Sequence, residues 1–268
     1  MSRRRIITGL LAAALVTTGL AACGSDDKKS SGQLLIGASP VPHAEILTFV
    51  KDNLAEKNGL KITIKEFTDY VQPNVALDAG DIQANFFQHK PYLDDFSAKR
   101  GVKLASAGAV HIEPLGAYSK KVKSLTELPE GATVAIPADA TNGGRALKLL
   151  AANKLVTLKE GASTEKDIAE NPKKLKFKAI EAAQLPRSLD DVDLAVINGN
   201  YAIEAKLKPS KDALALESGK DNPYANLLVV KQGKENDPAI QKLVKLLQSP
   251  ETKKFIEDKY AGSVIPAF

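Results

Sequence analysis

From residue 33 onward, short apolar runs with strand character alternate with helix-like segments, and this alternation constrains the chain more than any other feature. "QLLIGAS" reads as a strand, residues 43–56 as a helix, "KITIKEF" as a strand and residues around 72–79 as a helix. The strand "DIQANFF", a helix through "PYLDDFSAKR" and the strand "VKLASAGAV" follow. Strands joined through helices tend to lie parallel in one sheet, so the pattern predicts an α/β fold with helices on both faces of a mainly parallel sheet.

The rhythm restarts after "YSKKVKSLTELPEG", where Ser124 and Glu127 have the spacing of a capping box for a short helix. "TVAIPAD", a helix from Asn142, "KLKFKAIE", the helical "AAQLPRSLDDV" and the strand "DLAVIN" make a second unit. "YANLLVV" and two helices from about Pro238 read as a return to the first unit. The expected organisation is one lobe from residues 33–115 plus 223–268 and another from 116–222. Ligands favour the cleft between such lobes, at the carboxyl ends of strands.

The N-terminus has a different character. Arg3, Arg4 and Arg5 precede an uncharged run from Ile6 to Ala22, which is the layout of an export signal and is short for a membrane span. Leu20-Ala21-Ala22-Cys23 looks like a bacterial lipobox, in which the cysteine becomes the lipidated N-terminus. Cys23 is the one cysteine of the chain, and lipidation explains a lone thiol in an exported protein better than a spare buried cysteine does. The expected layout is a lipoprotein signal peptide at 1–22 and a flexible tether at 23–32, "CGSDDKKSSG", leading from a lipid anchor outside the cytoplasmic membrane. Without the three arginines of the signal the formal charge falls from +5 to +2, which gives no reason to expect a nucleic-acid partner.

The residues directly after the strands are the candidates for function. "TNGGRALKLL" reads as a helix start, with Asn142 as a cap, two glycines that admit a ligand to free backbone N–H groups, and Arg145 as a planar fork for a carboxylate or phosphate. The competing reading is that Arg145 pairs with an acidic residue of the neighbouring lobe. Glu113, before Pro114, suits a ligand ammonium or a solvated loop equally well. Tyr70, Phe87 and His89 follow strands and suit an apolar or thioether side chain, although single aromatics there are more often core. His89 reads as a hydrogen-bonded wall residue, since no cysteine or second histidine lies at metal-ligand spacing from it. No G-x-S-x-G, H-E-x-x-H or phosphate-loop motif occurs, so no catalytic residue, cofactor or metal is expected.

"TDYVQPNVALDAGDIQANFFQHKPYLD", "TNGGRAL", "AAQLPRSLDDVDLAVINGNYA" and "NPYANLLVV" resemble the methionine-binding lipoproteins of ABC importers, the MetQ or NlpA lipoprotein family. The similarity runs from about Leu34 to the C-terminus, and "FQHKPYLD" and "QLPRSLDD" are specific to that family. The resemblance implies a two-lobed periplasmic-binding-protein fold of type II that closes over a free amino acid and delivers it to a permease driven by an ATPase. It implies that Arg145, helped by Asn142, holds the α-carboxylate, and that Asn198, Asn226 and Glu113 satisfy the ammonium and remaining polar groups. By the same resemblance, Tyr70, Phe87 and His89 would line the side-chain pocket, with Tyr92 as a neighbour. Asn226 comes from the resemblance alone. The expected ligand is L-methionine and the expected state a monomer. The alternatives are D-methionine, methionine sulfoxide or a short peptide as ligand, or a surface lipoprotein that acts as an interaction or adhesion module.

Overall fold

The chain crosses twice between two sheets, and these crossings set the architecture. The computed structural model describes residues 33–161 and 164–268, so the signal peptide, Cys23 and the tether lie outside the described residues. The first sheet begins with β1 (Gln33–Ala38), followed by α1 (Glu45–Val50), which looser helical turns extend to Asn58. β2 (Lys61–Glu66), α2 (Gln72–Ala79), β3 (Ala84–His89), α3 (Lys90–Arg100) and β4 (Leu104–Ile112) complete its first part. The chain then crosses and enters the second sheet as β5 (Gly116–Tyr118).

That sheet continues with β6 (Thr133–Pro137), α4 (Ala140–Ala152), a small pair β7 (Thr157–Leu158) and β8 (Ile168–Glu170), and β9 (Lys176–Ile180). α5 (Leu185–Ser188), β10 (Leu194–Ile197), α6 (Gly199–Glu204), α7 (Pro209–Asp212) and β11 (Ala215–Leu216) follow. The chain crosses back as β12 (Ala225–Lys231) and ends with α8 (Pro238–Leu247), α9 (Pro250–Tyr260) and β13 (Ile265–Pro266).

The strand orders are β13-β4-β12-β3-β1-β2 and β11-β5-β10-β6-β9. β2-β1-β3 and β9-β6-β10 are the parallel cores, but β12 runs antiparallel to β3 and β4, and β5 antiparallel to β10 and β11. The mainly parallel sheet expected from the sequence is therefore corrected to a mixed one. The reason is topological. A strand that arrives by crossing the cleft starts at the cleft end of its new sheet, and so runs against the strands that end there.

Both sheets are covered on both faces, which explains why their central strands β3, β12 and β10 are buried along nearly their whole length. Ile36, Leu47, Val50, Phe86, Leu228, Leu243 and Ile256 pack one face of the first sheet, and Leu77, Ile82, Leu93 and Val229 the other. In β10 the alternation is direct: Leu194 and Val196 join the core with Leu147 and Leu150 of α4, while Ala195 and Ile197 join Leu185 and Tyr201. Full burial of one such leucine or isoleucine is worth about 1.5–3 kcal/mol.

The helix ends follow local chemistry. α9 has Ser249 accepting from Thr252 N and proline in its first turn, while α3 stops at Gly101 with φ of 67°. Three expectations fail. Ser124 precedes a short helical turn, Leu125–Glu127, without a side-chain cap bond, because its hydroxyl pairs with Thr126 instead. α4 starts two residues before Asn142, with Asp139 as its cap, so Arg145 sits in the second turn and not in the first. Gly143 serves packing and not ligand access: a Cβ there would lie 2.8 Å from the Pro137 carbonyl oxygen. Gly143→Ala should therefore destabilise the fold by about 1–3 kcal/mol, read as a lower urea midpoint. An unchanged midpoint would show that this helix-to-strand contact yields freely.

Candidate functional site

A small, partly enclosed cavity lies where the carboxyl ends of the strands meet the crossing segments. Tyr70, Phe87, His89, Glu113, Asn142, Arg145, Asn198 and Asn226 all border it, together with Gln88, Tyr92 and Gly199. Their origins are spread over the chain. Tyr70 follows β2, Phe87 to His89 end β3, Glu113 opens the first crossing, and Asn226 begins β12 after the second.

The floor is built around a buried carboxylate. Glu113 Oε1 accepts from His111 Nε2 at 2.7 Å, and Oε2 accepts from the Asn200 backbone N–H at 2.8 Å. His43 Nε2 lies 3.1 Å from Oε1 and hydrogen-bonds Asn226 Oδ1 at 3.0 Å. Gly199 makes this approach possible, since a Cβ there would sit 2.7 Å from Glu113 Cβ. Burial pushes the Glu113 carboxyl above its ordinary value, and burial pushes His43 down to about 4 and His111 to about 3. Both imidazoles are thus neutral donors. The three nearest atoms of His43, His111 and Glu113 lie within 4.8 Å of one another, a metal-like donor set. Neither Nδ1, however, has the outer hydrogen-bond partner that a metal-bound imidazole ordinarily carries.

His89 is fixed at both nitrogens. Nδ1 accepts from Tyr92 N at 3.2 Å, capping α3, so Nε2 carries the proton and donates to Asn142 Oδ1 at 3.1 Å. Burial, with the nearby Arg145 charge, lowers its pKa to about 3. Asn142 is a hub and not a helix cap: its Nδ2 donates to Asp139, and its Oδ1 also accepts from Asn198 Nδ2 at 3.0 Å. Asn198 Oδ1 is buried with no partner.

The aromatic side has two functions at once. Phe87 packs with Tyr92 and Phe96 in a small core cluster while facing the cavity. It is also the extra residue where β3 slips against β12, Phe86 pairing with Leu228 and Gln88 with Leu227. Such bulges re-aim side chains beside functional sites. The slip brings Asn85 and Gln88 together with Asn74 in a buried amide network. Tyr70 donates to Asn200 Oδ1 at 2.6 Å, and Tyr201 donates to the Thr68 carbonyl at 3.0 Å. These bonds and His89–Asn142 bridge the two sheets' segments across the cleft.

Arg145 is not a free fork. Nε donates to Glu217 Oε1 at 3.0 Å, Nη2 donates to Glu217 Oε2, and Nη2 also reaches the Glu113 carbonyl at 2.9 Å. The acidic partner of the competing reading exists, not on the neighbouring lobe but directly after β11, where the second crossing begins. Sequence reading missed Glu217 and Tyr224, which lies 4.2 Å from the guanidinium. The available signal was their position, in the return segment after the short run "ALAL".

A two-lobed α/β chain with a polar and aromatic cleft beside two crossings has the architecture of type II solute-binding proteins. The chain belongs to the NlpA lipoprotein family, which matches residues 34–268. It is similar to a nutrient-binding protein of Burkholderia cenocepacia solved bound to methionine, at 51% identity and a TM-score of 0.85, covering 88% of this chain and 100% of that one. The methionine-binding lipoprotein MetQ of Bacillus subtilis is 42% identical over 256 residues, 92% of this chain and 93% of its own. A probable D-methionine-binding lipoprotein MetQ of Vibrio cholerae is 42% identical over 258 residues, 95% of each.

The buried histidines make stability depend on pH. Their unfolded values near 6.5 exceed the folded values of about 4, 3 and 3 for His43, His89 and His111. Below about pH 6.5 the unfolded chain therefore binds protons that the folded chain refuses, and stability falls as pH falls, by up to about 1.4 kcal/mol per pH unit for each histidine. Glu113, raised by burial, works in the opposite sense above its ordinary value. Urea midpoints between pH 7.5 and 4.5 should drop steeply, and His111→Gln should flatten the drop. An unchanged slope in that variant would mean that His111 is protonated in the fold.

Proposed function

We propose that the chain is the methionine-binding lipoprotein of an ABC importer: it closes over free L-methionine and hands it to a membrane permease driven by an ATPase. It acts as a monomer, held outside the cytoplasmic membrane by lipid on Cys23, with no covalent step.

The observation that carries this reading is the set of polar groups left uncommitted around the cavity. Among the described residues, Arg145 Nη1 and Asn226 Nδ2 are donors without a hydrogen bond, and Asn198 Oδ1 is an acceptor without one. With the Glu113 carboxylate they match a zwitterion: Arg145 for the α-carboxylate, and Glu113, Asn198 and Asn226 for the ammonium and remaining polar atoms. Asn142 contributes by holding His89 and Asn198, since its own amide is fully used. Tyr70, Phe87, His89 and Tyr92 offer a thioether aromatic edges, each contact worth about 0.3–1.5 kcal/mol. The names of the Bacillus and Vibrio relatives and the methionine-bound Burkholderia structure support the same ligand.

Unfolding and refolding strips carried ligand and leaves protein for a thermal scan against L-amino acids, D-methionine, methionine sulfoxide and methionine dipeptides. L-Methionine at a hundred times Kd should stabilise the fold by about 2.7 kcal/mol, a shift of several degrees. A shift with D-methionine alone would reassign the isomer, which the Vibrio relative's name makes the nearest alternative. No shift with any of these ligands would favour the interaction-module reading. Burying the ligand's charges is tolerable only if both are paired, so Arg145→Ala should weaken L-methionine binding by about 2–5 kcal/mol in calorimetry. An affinity within a few-fold of the unaltered protein would remove Arg145 from the carboxylate.

A further inference from the structure

Arg145 and Glu217 form a pair whose geometry goes beyond a structural ion bridge. Glu217 is itself clamped: Oε2 accepts from Asn222 Nδ2 at 2.9 Å and from the Leu115 N–H at 3.3 Å, so the carboxylate joins the second crossing to the first. Burial would raise its pKa, but the bonds and charge of Arg145, followed by the bonds from Asn222 and Leu115, hold it below the ordinary carboxylate value. The guanidinium is fixed on its Nε–Nη2 edge by Glu217, at Nη2 by the Glu113 carbonyl, and on its face by Tyr224. Nη1 is the nitrogen left without a hydrogen bond among the described residues.

We propose that Glu217 is a positioning residue for the ligand's carboxylate, holding the Arg145 guanidinium by one edge so that Nη1 is the donor that the ligand meets. The proposal rests on the reading that Arg145 binds that carboxylate. It also explains why an anion site contains a second, fixed anion. A simple charge argument makes Glu217 a liability, since it cancels part of the arginine's charge and repels the ligand. The positioning argument makes it necessary, because without Glu217 the guanidinium keeps only the Glu113 carbonyl at Nη2 and the Tyr224 face, and its planar fork is free to turn.

The two arguments predict opposite signs, which calorimetry on the full-length lipoprotein in detergent can separate. L-Methionine is compared with L-methioninol, which keeps the ammonium and thioether but lacks the carboxylate. Glu217→Gln removes the charge at nearly constant shape, and Glu217→Asp keeps the charge but withdraws it from Arg145. Both variants should weaken methionine binding by about tenfold or more while changing methioninol binding by less than about threefold. Glu217→Gln that binds methionine as well as or better than the unaltered protein overturns the proposal, as does an unaffected Glu217→Asp. An equal loss for both ligands also overturns it, because that is the signature of a merely structural pair.

A spectroscopic reading tests the same point without ligand. The Arg145 Nε–H resonance, assigned by its loss in Arg145→Lys, should be visible in slow exchange in the unaltered protein and lost in Glu217→Gln. A resonance unaffected by the substitution counts against the proposal. Failure of the parent reading looks different: Arg145→Ala would then bind methionine normally. A weak Arg145→Ala beside intact Glu217 variants rejects the positioning role alone.

Discussion

The buried Glu113 carboxylate is the interaction on which the rest of the site depends. A charge cannot leave water unless donors meet it. Here the donors come from separate parts of the chain: His111 from β4, the Asn200 N–H from α6, with His43 of the segment before α1 close by. Satisfying Glu113 therefore fixes α6 of the second lobe against β4 of the first. Asn198 at the start of α6, and Tyr201 within it, are carried into place by the same bond set. Gly199 is the steric condition for it, as any side chain would displace Glu113.

Around this floor, most of the polar side chains are held by at least one hydrogen bond before a ligand arrives, even where one of their atoms stays free. Asn142 spends its amide on Asp139, His89 and Asn198, and Asn226 Oδ1 meets His43. Such commitment orders the wall side chains in advance, which lowers the ordering cost of binding. It also explains why neutral imidazoles suit this cleft. His89 and His111 supply N–H donors without adding charges that burial would penalise.

Much of this was legible in the residue order. The runs at β1, β6 and β10 gave strands within a residue or two because burial on both faces leaves a mostly apolar signature, and β2 because its isoleucines alternate with polar residues, as on an edge strand. The cavity residues were visible as polar or aromatic groups directly after those runs. What escaped was long-range. Nothing local announces that β12 runs between β3 and β4, or that Glu217 lies against Arg145 seventy-two positions away. Asn226 looked like a strand residue because it is one, and its importance comes from standing opposite both His89 and His111. The start of α4 was misjudged because Asp139 and Asn142 are both good caps, and only the fold shows which one accepts.

The place of β12 has a consequence for how the protein is made. β3 and β4 cannot become neighbours through any strand between them until residue 231 exists, so the first sheet stays divided while most of the chain is synthesised or passes through a pore. Contacts this distant in sequence form slowly. In a chain built in this way the second sheet, whose strands are complete by Leu216, can close first, while the first sheet waits for the returning strand to seal it.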